Sequence, residues 1–186
     1  MTRRDQEAGL RRGVRAQPGL AILTGGQTGV DTYAAIAALR AGLAVHLVFP
    51  AGYRQEDGAL TPARRRRLAG ASFHELSSAS FRYRTWTCVY LADAVLLLDP
   101  AGGAGCQETA RAAERLGRPL LSPDQLTAEQ ANGWLRDEGA AVLLVAGCRA
   151  SVLARKGKGR GLRAGLAGIM AGAREYSDLV ASGGPS

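Results

Sequence analysis

The sequence predicts an α/β fold, with a parallel sheet of about five strands and helices on both faces. Three observations carry that prediction. Short apolar runs alternate along the chain with segments of helical periodicity. Ala94-Val95-Leu96-Leu97-Leu98 is apolar throughout, the pattern of a strand covered on both faces. The stretch from Leu20 to Asp31 passes from an apolar run through a glycine turn into an alanine-rich helical pattern over about residues 32–39. A strand that opens directly into a helix leaves backbone N–H groups pointing into one place, where the helix dipole favours an anion. The glycine spacing there is neither a phosphate loop ending Gly-Lys-Ser/Thr nor a strict G-x-G-x-x-G.

Residues 1–17 show no apolar periodicity and read as a disordered basic arm, ahead of a single domain over 18–178 and a flexible tail over 179–186. Val45 to Phe49 is a second strand, stopped by Pro50 and Gly52; His46 inside it reads as a hydrogen-bonded sheet histidine. A polar loop over 52–58 follows, in a position where open α/β sheets meet ligands. Thr61-Pro62 caps and opens a helix through Arg64–Arg67. Ser72 to Leu76 reads as a short strand, whose His74 is given no role, and Phe81 to Leu91 as a helix carrying Arg84. The apolar run at 94–98 ends in a second glycine loop, Asp99 to Cys106, which opens a helix through Arg115. Pro119 to Leu121 reads as a short strand, Thr127 caps a helix through Trp134, and 140–145 forms the last strand. That strand runs into a small-residue turn, Gly147 to Ser151. The final helix is expected over 162–176, weakened by Gly165, Gly168 and Gly172.

A chain of 186 residues with 46% hydrophobic residues is long enough to bury one proper core. No apolar run approaches the ~18 residues of a membrane span, and the basic N-terminus lacks a signal peptide's apolar region. Cys88, Cys106 and Cys148 are odd in number and far apart in sequence, which suits a reducing cytoplasm better than a disulfide framework. The net charge of +8 gathers in an N-terminal arm, in Arg64–Arg67, and around Arg155, Lys156, Lys158, Arg160 and Arg163. Such tracts can bind nucleic acid. No aromatics interleave with them, so solvated surfaces are the preferred reading.

The candidate site residues follow from these turns. Gly25, Gly26, Gly29, Gly102, Gly103 and Gly105 read either as backbone that cradles phosphate or as tight turns, with Gln27 and Thr28 inside the first of them. Arg54 and Arg84 are the cations expected to pair with a phosphate. Asp31 either complements the helix dipole, binds a ligand hydroxyl or amine, or holds the loop. Glu56 and Asp57 close their loop, pair with the arginines, serve acid–base chemistry or hold Mg²⁺. Cys106 at a helix start would have a lowered thiol pKa and could ligate molybdenum, but a small packed thiol is preferred.

Gly25-Gly26-Gln27-Thr28-Gly29-Val30-Asp31, Arg54-Gln55-Glu56-Asp57-Gly58 and Tyr83-Arg84-Thr85-Trp86 ahead of Ala92-Asp93-Ala94 together resemble the molybdenum cofactor carrier family. That family is a branch of the Rossmann-like SLOG superfamily, and the resemblance covers about residues 20–152. The chain is also similar to the Lonely Guy-type, lysine-decarboxylase-like phosphoribohydrolases. Their first strand and turn are missing at the start here and reappear at Val142 to Ser151, so the order looks circularly permuted. The resemblance implies a Rossmann-like three-layer fold in which three glycine-type turns converge on one pocket, adding Gly147, Arg149 and Ser151 to the residues above. It implies a nucleotide or molybdenum cofactor as ligand, a homo-oligomer, and DNA-processing relatives that make nucleic acid a weaker alternative.

Hydrolysis of nucleoside 5′-monophosphates in the second family rests on an Arg and on the Glu that ends P-G-G-x-G-T-x-x-E. Arg84 matches the first, but the Glu position falls on Thr109, and Glu108 lies one residue earlier. One residue turns a helical side chain by about 100°. Binding or carriage is therefore preferred, with Arg84 and Glu108 as the catalytic pair of the alternative.

Overall fold

A computed structural model of the chain describes residues 3–99, 103–122, 127–157 and 159–183. Gly102, one of the expected cradle glycines, lies outside the described residues, as do Lys158 and the last three residues of the expected tail.

The first strand and helix form as read: β1 (Ala21–Thr24) runs through the glycine turn into α2 (Val30–Arg40). β2 (Ala44–Phe49) follows, and the polar loop contains a small antiparallel pair, β3 (Arg54–Gln55) with β4 (Gly58–Ala59). Then come α3 (Pro62–Arg67), β5 (Ser72–Glu75), α4 (Phe81–Leu91), β6 (Ala94–Leu98) and α5 (Ala104–Arg115). The chain continues through β7 (Leu120–Leu121), α6 (Ala128–Asp137), β8 (Val142–Gly147), α7 (Ala150–Lys156) and α8 (Gly159–Ala181). The hydroxyls of Thr61, Ser80 and Thr127 cap α3, α4 and α6 by accepting backbone N–H groups of the first turn.

The main sheet has six strands rather than about five, in the order β5-β2-β1-β8-β6-β7, with every pair parallel. The last strand in sequence therefore lies at the centre, with Leu143 beside both Ile22 and Ala94. Parallel pairing brings the ends of β1, β6 and β8 to one edge, so the turns that follow them meet there. Alternating side chains serve two layers: Ile22, Leu47 and Val145 pack under α2, α6 and α8, while Leu23, Val95 and Leu144 pack under α4 and α5. Among the described residues, no helix is long and apolar enough to cross a membrane.

Two expectations need correction. The supposed disordered arm contains a helix, α1 (Arg3–Val14), packed on the α4 side with Val14 buried. Its apolar stripe is only Leu10 and Val14; polar contacts do the rest. Gln6 Nε2 donates to the Glu75 carbonyl (3.0 Å), the Tyr83 hydroxyl donates to Glu7 (2.8 Å), and Arg15 pairs with Asp93. All three partners lie some seventy residues away in sequence, so no local pattern announces them. The final helix is also longer than expected, extending through Ala181. Gly172 within it is required by packing, since a Cβ there would sit 1.9 Å from Asn132 Nδ2 on α6.

His46 is buried and hydrogen-bonded as expected, but to the histidine given no role: its Nδ1 lies 3.0 Å from His74 Nε2 on the adjacent strand, with the rings stacked. Burial first, and His74 second, hold the His46 imidazole down at about 4. The folded state thus favours the neutral ring. Its contribution is complete above the unfolded value of 6.5 and is lost as pH falls towards 4, a difference of about 3 kcal/mol. Denaturation of a His46→Gln variant is expected to show a much flatter stability profile between pH 6.5 and 5 than the parent. Equal slopes would contradict this role for the pair.

Candidate ligand-binding site

The first glycine turn is closed by protein. Every residue from Leu20 to Val30 is buried. A Cβ on Gly25 would sit 1.2 Å from Arg84 Nη1, one on Gly26 2.5 Å from the Phe49 ring, and one on Gly29 2.4 Å from the Cys148 carbonyl oxygen. Gly26 and Gly29 also have φ of 66° and 82°, which disfavours a side chain. The first amide of α2, on Val30, donates to Cys148 O at 3.0 Å. These glycines therefore admit a guanidinium, an aromatic ring and a neighbouring backbone.

The polar loop latches that turn. Gln27 Oε1 accepts from the N–H groups of Thr28 (3.0 Å) and Glu56 (2.7 Å), and Gln55 Nε2 donates to the Gly26 carbonyl (2.7 Å). Glu56 accepts from the hydroxyls of Thr28 and Ser151, the latter at 2.5 Å, and so ties the loop to the start of α7. Burial alone would raise the Glu56 carboxyl, but the Ser151 and Thr28 hydrogen bonds outweigh it and hold the group below the usual range. Asp57 pairs with Arg64, while Arg54 lies 5.5 Å over the Phe81 ring. Arg54, Glu56 and Asp57 do not line the cavities described next. Buried Gln55 escaped sequence reading, because a glutamine in a polar loop carries no sign of burial.

Beside the closed turn lie two adjoining cavities. One, of about 290 Å³, is bordered by Gln27, Asp31, Arg84, Glu108 and Thr109. The other, of about 440 Å³, is bordered by Gly103, Cys106, Cys148, Ser151 and Lys156. They share Ala104, Gly105, Gly147 and Arg149 as a common wall. Gly103 caps α5 with φ 113° and no side-chain hydrogen bond, and a Cβ on Gly105 would meet nothing within 4 Å. The second glycine loop thus presents an accessible helix start, with the Ala104 and Gly105 amides in the first turn. Gly147 resembles the first-turn glycines instead: a Cβ there would sit 2.5 Å from Leu98 O.

Asp31 and Arg84 form a largely buried ion pair at 3.4 Å, their side chains 6% and 12% exposed. Asp31 Oδ2 also accepts the Gln27 N–H (3.1 Å), a contact that fastens the loop. Burial pushes its carboxyl up, and Arg84 and the backbone amides of Gln27 and Gly25 pull against that. Arg84 Nε is buried with no hydrogen-bond partner, leaving a donor uncommitted on a residue that borders the cavity.

Glu108 borders the smaller cavity and is surrounded by donors. Its carboxylate accepts from Trp86 Nε1 (2.6 Å), Arg82 Nε (2.8 Å) and Arg111 Nη1 (2.8 Å). The Trp86 hydrogen bond foremost, with Arg82 and Arg111, holds it below the usual carboxylate range and therefore ionised. Thr109 donates to the Gly105 carbonyl inside α5. Cys106 differs from a lowered-pKa thiol: burial pushes it up, with Cys148 beside it. Cys148 is raised likewise, its Sγ 3.0 Å from Asp99 Oδ2. Among the described residues, no group of three or more His, Cys, Asp or Glu side chains is arranged to hold a metal ion.

The packing of Arg84 onto Gly25 is open to a double-mutant test. Gly25→Ala is expected to cost about 2–4 kcal/mol by denaturation. In an Arg84→Ala background, where the obstruction is gone, it should cost less than about 1 kcal/mol. The same cost in both backgrounds would show that Arg84 does not occupy that space.

Comparison with known proteins bears on the fold and the family. A solved structure named "Putative molybdenum carrier protein", from Syntrophus aciditrophicus, is similar with a TM-score of 0.67 at 22% identity, covering 82% of this chain and 96% of that one, and shares the fold. A second, AtPrR2 in apo form, has a TM-score of 0.38 at 17% identity, covering 70% of this chain and 49% of that one. No curated protein matches the sequence. Residues 22–158 match the circularly permutated YpsA SLOG family, and the central position of β8 is what such a permutation produces. The chain belongs to the circularly permutated YpsA SLOG family.

Proposed function

We propose that the protein binds a small phosphorylated ligand, a nucleotide or a molybdopterin-type cofactor, in the double cleft and holds it without cleaving it. One observation carries this reading. The accessible start of α5 at Ala104–Gly105, the Arg84 guanidinium group and Arg149 all border the same hollow. The Arg149 carbonyl accepts the Val152 and Leu153 N–H groups, while its guanidinium makes no hydrogen bond to the described residues, its charge being felt by the Glu56 carboxylate. Helix amides and arginine forks suit a phosphate group by both charge and geometry. The residues fit the phosphate end of such a ligand rather than a metal, because no cluster of metal-ligating side chains is present among the described residues. The molybdenum carrier named among the similar folds supports the cofactor alternative.

Holding is favoured over hydrolysis because Glu108 is ionised and committed to three donors. A general acid for N-glycosidic cleavage has to carry a proton near neutral pH.

Native mass spectrometry of the purified protein, followed by calorimetric titration with adenosine monophosphate, tests the reading. A co-purifying phosphorylated compound, or saturable nucleotide binding weakened at least about tenfold by Arg149→Ala, is the expected result, equivalent to about 1.4 kcal/mol. Glu108→Gln should leave binding unchanged, with no free base appearing over hours. Release of adenine that Glu108→Gln abolishes would overturn simple holding, and failure of the monophosphate to bind, with no phosphorylated compound co-purifying, would remove the site.

A further inference from the structure

A cavity of about 410 Å³ lies between α2 and α8 and shares no lining residue with the cleft above. Its floor is apolar, built from Ile36 and Ala37 on α2, from Ala41 at its C-cap, and from Ala167 and Ala171 on α8. The two helices run side by side in the same direction, as the contacts at their ends show. Arg163 lies 4.4 Å over the Tyr33 ring and donates to its hydroxyl (3.0 Å), while Arg174 donates to the Gly42 carbonyl (2.5 Å). Small alanines along both helices leave the hollow between these two ends.

Four arginines border this apolar hollow: Arg40, Arg67, Arg163 and Arg174. Arg163 is committed to Tyr33, and Arg174 to Gly42 and Asp178. The side chains of Arg40 and Arg67 are exposed and have no hydrogen-bond or ion-pair partner among the described residues. This gives part of the Arg64–Arg67 run a separate meaning. Arg64 is spent on Gln55 and Asp57, and Arg65 lies over the rings of Phe73 (4.6 Å) and Tyr53 (5.5 Å). Arg67 is the member that turns to the cavity. Like charges gathered around an apolar floor repel one another, and none of the described carboxylates pairs with the two uncommitted ones. A partner with its own negative charge and an apolar body satisfies both features at once. The volume falls within the ~300–1,000 Å³ of small-molecule pockets.

We infer that the α2–α8 cavity binds a small amphiphilic organic anion, of the acyl or aryl carboxylate class. Its apolar body covers the alanine floor, and its carboxylate is taken by Arg40 and Arg67. This inference is independent of the phosphate cleft.

The test uses the full chain with 8-anilinonaphthalene-1-sulfonate as a fluorescent probe and decanoate as competitor. Saturable one-to-one binding is expected, displaced by decanoate but not by decyltrimethylammonium. The Arg40→Ala/Arg67→Ala double variant should bind at least about tenfold more weakly. Ala171→Leu, which fills the hollow from an exposed helical position, should do the same with unchanged circular dichroism. An Arg12→Ala/Arg136→Ala control, which removes the same charge elsewhere, should stay within about twofold. Equal weakening by both double variants would reduce the effect to bulk charge and overturn the proposal. So would the absence of saturable binding, or sedimentation showing a dimer that Ala171→Leu dissociates, since a second copy would then occupy the cavity.

Discussion

The Asp31–Arg84 ion pair is the contact on which the rest of the edge depends. It joins the β1–α2 turn to α4, two elements separated by fifty-three residues of sequence. Breaking such a buried pair from one side typically costs about 3–5 kcal/mol, because the remaining charge is left without a partner. The pair also dictates its neighbours. Arg84 reaches Asp31 only across Gly25, where any side chain would occupy the space of the guanidinium. Gln27 offers its amide to the same carboxylate and its side chain to Glu56, so the turn is fastened from both sides. Gly29 then lets the β8–α7 backbone sit against it, with Val30 donating to Cys148. The chain's last strand is thereby keyed to its first.

Three similar-looking turns consequently do different work. The first is filled by protein atoms and serves as the foundation. The second, at Gly103–Gly105, leaves a helix start facing open space. The third combines a glycine forced by close approach to Leu98 with Arg149, whose guanidinium borders both cavities. A ligand at this edge would meet the second and third turns, with Arg84 reaching it from behind the first.

Much of the fold was legible because it rests on local pattern. The apolar runs, the caps at Thr61 and Thr127, and the helix over Phe81–Leu91 all match the structure. The family resemblance also read Val142 to Ser151 as the relatives' displaced first strand and turn, and that strand lies between β1 and β6 in the sheet. What escaped depends on distant partners. α1 is held by Glu75, Tyr83 and Asp93, and His74 gains its role only because β5 pairs with β2. The site was legible as a place but not as a set of atoms. A glycine-rich turn reads the same whether a phosphate or a guanidinium fills it, and nothing local distinguishes Gly25 from Gly105. Likewise, the pattern left Glu56 and Asp57 open between closing their loop, pairing with arginines, acid–base chemistry and Mg²⁺, and only the folded contacts with Ser151 and Arg64 single out the first two.

Hydrogen exchange at single-residue resolution, with and without adenosine monophosphate, addresses the central claim most directly. The account predicts that amides from Thr24 to Val30 are already protected in the free protein, and that ligand adds protection at Ala104–Cys106 and Gly147–Ser151. New protection confined to the Gly25–Gly29 turn, on amides that exchange freely without ligand, would contradict it.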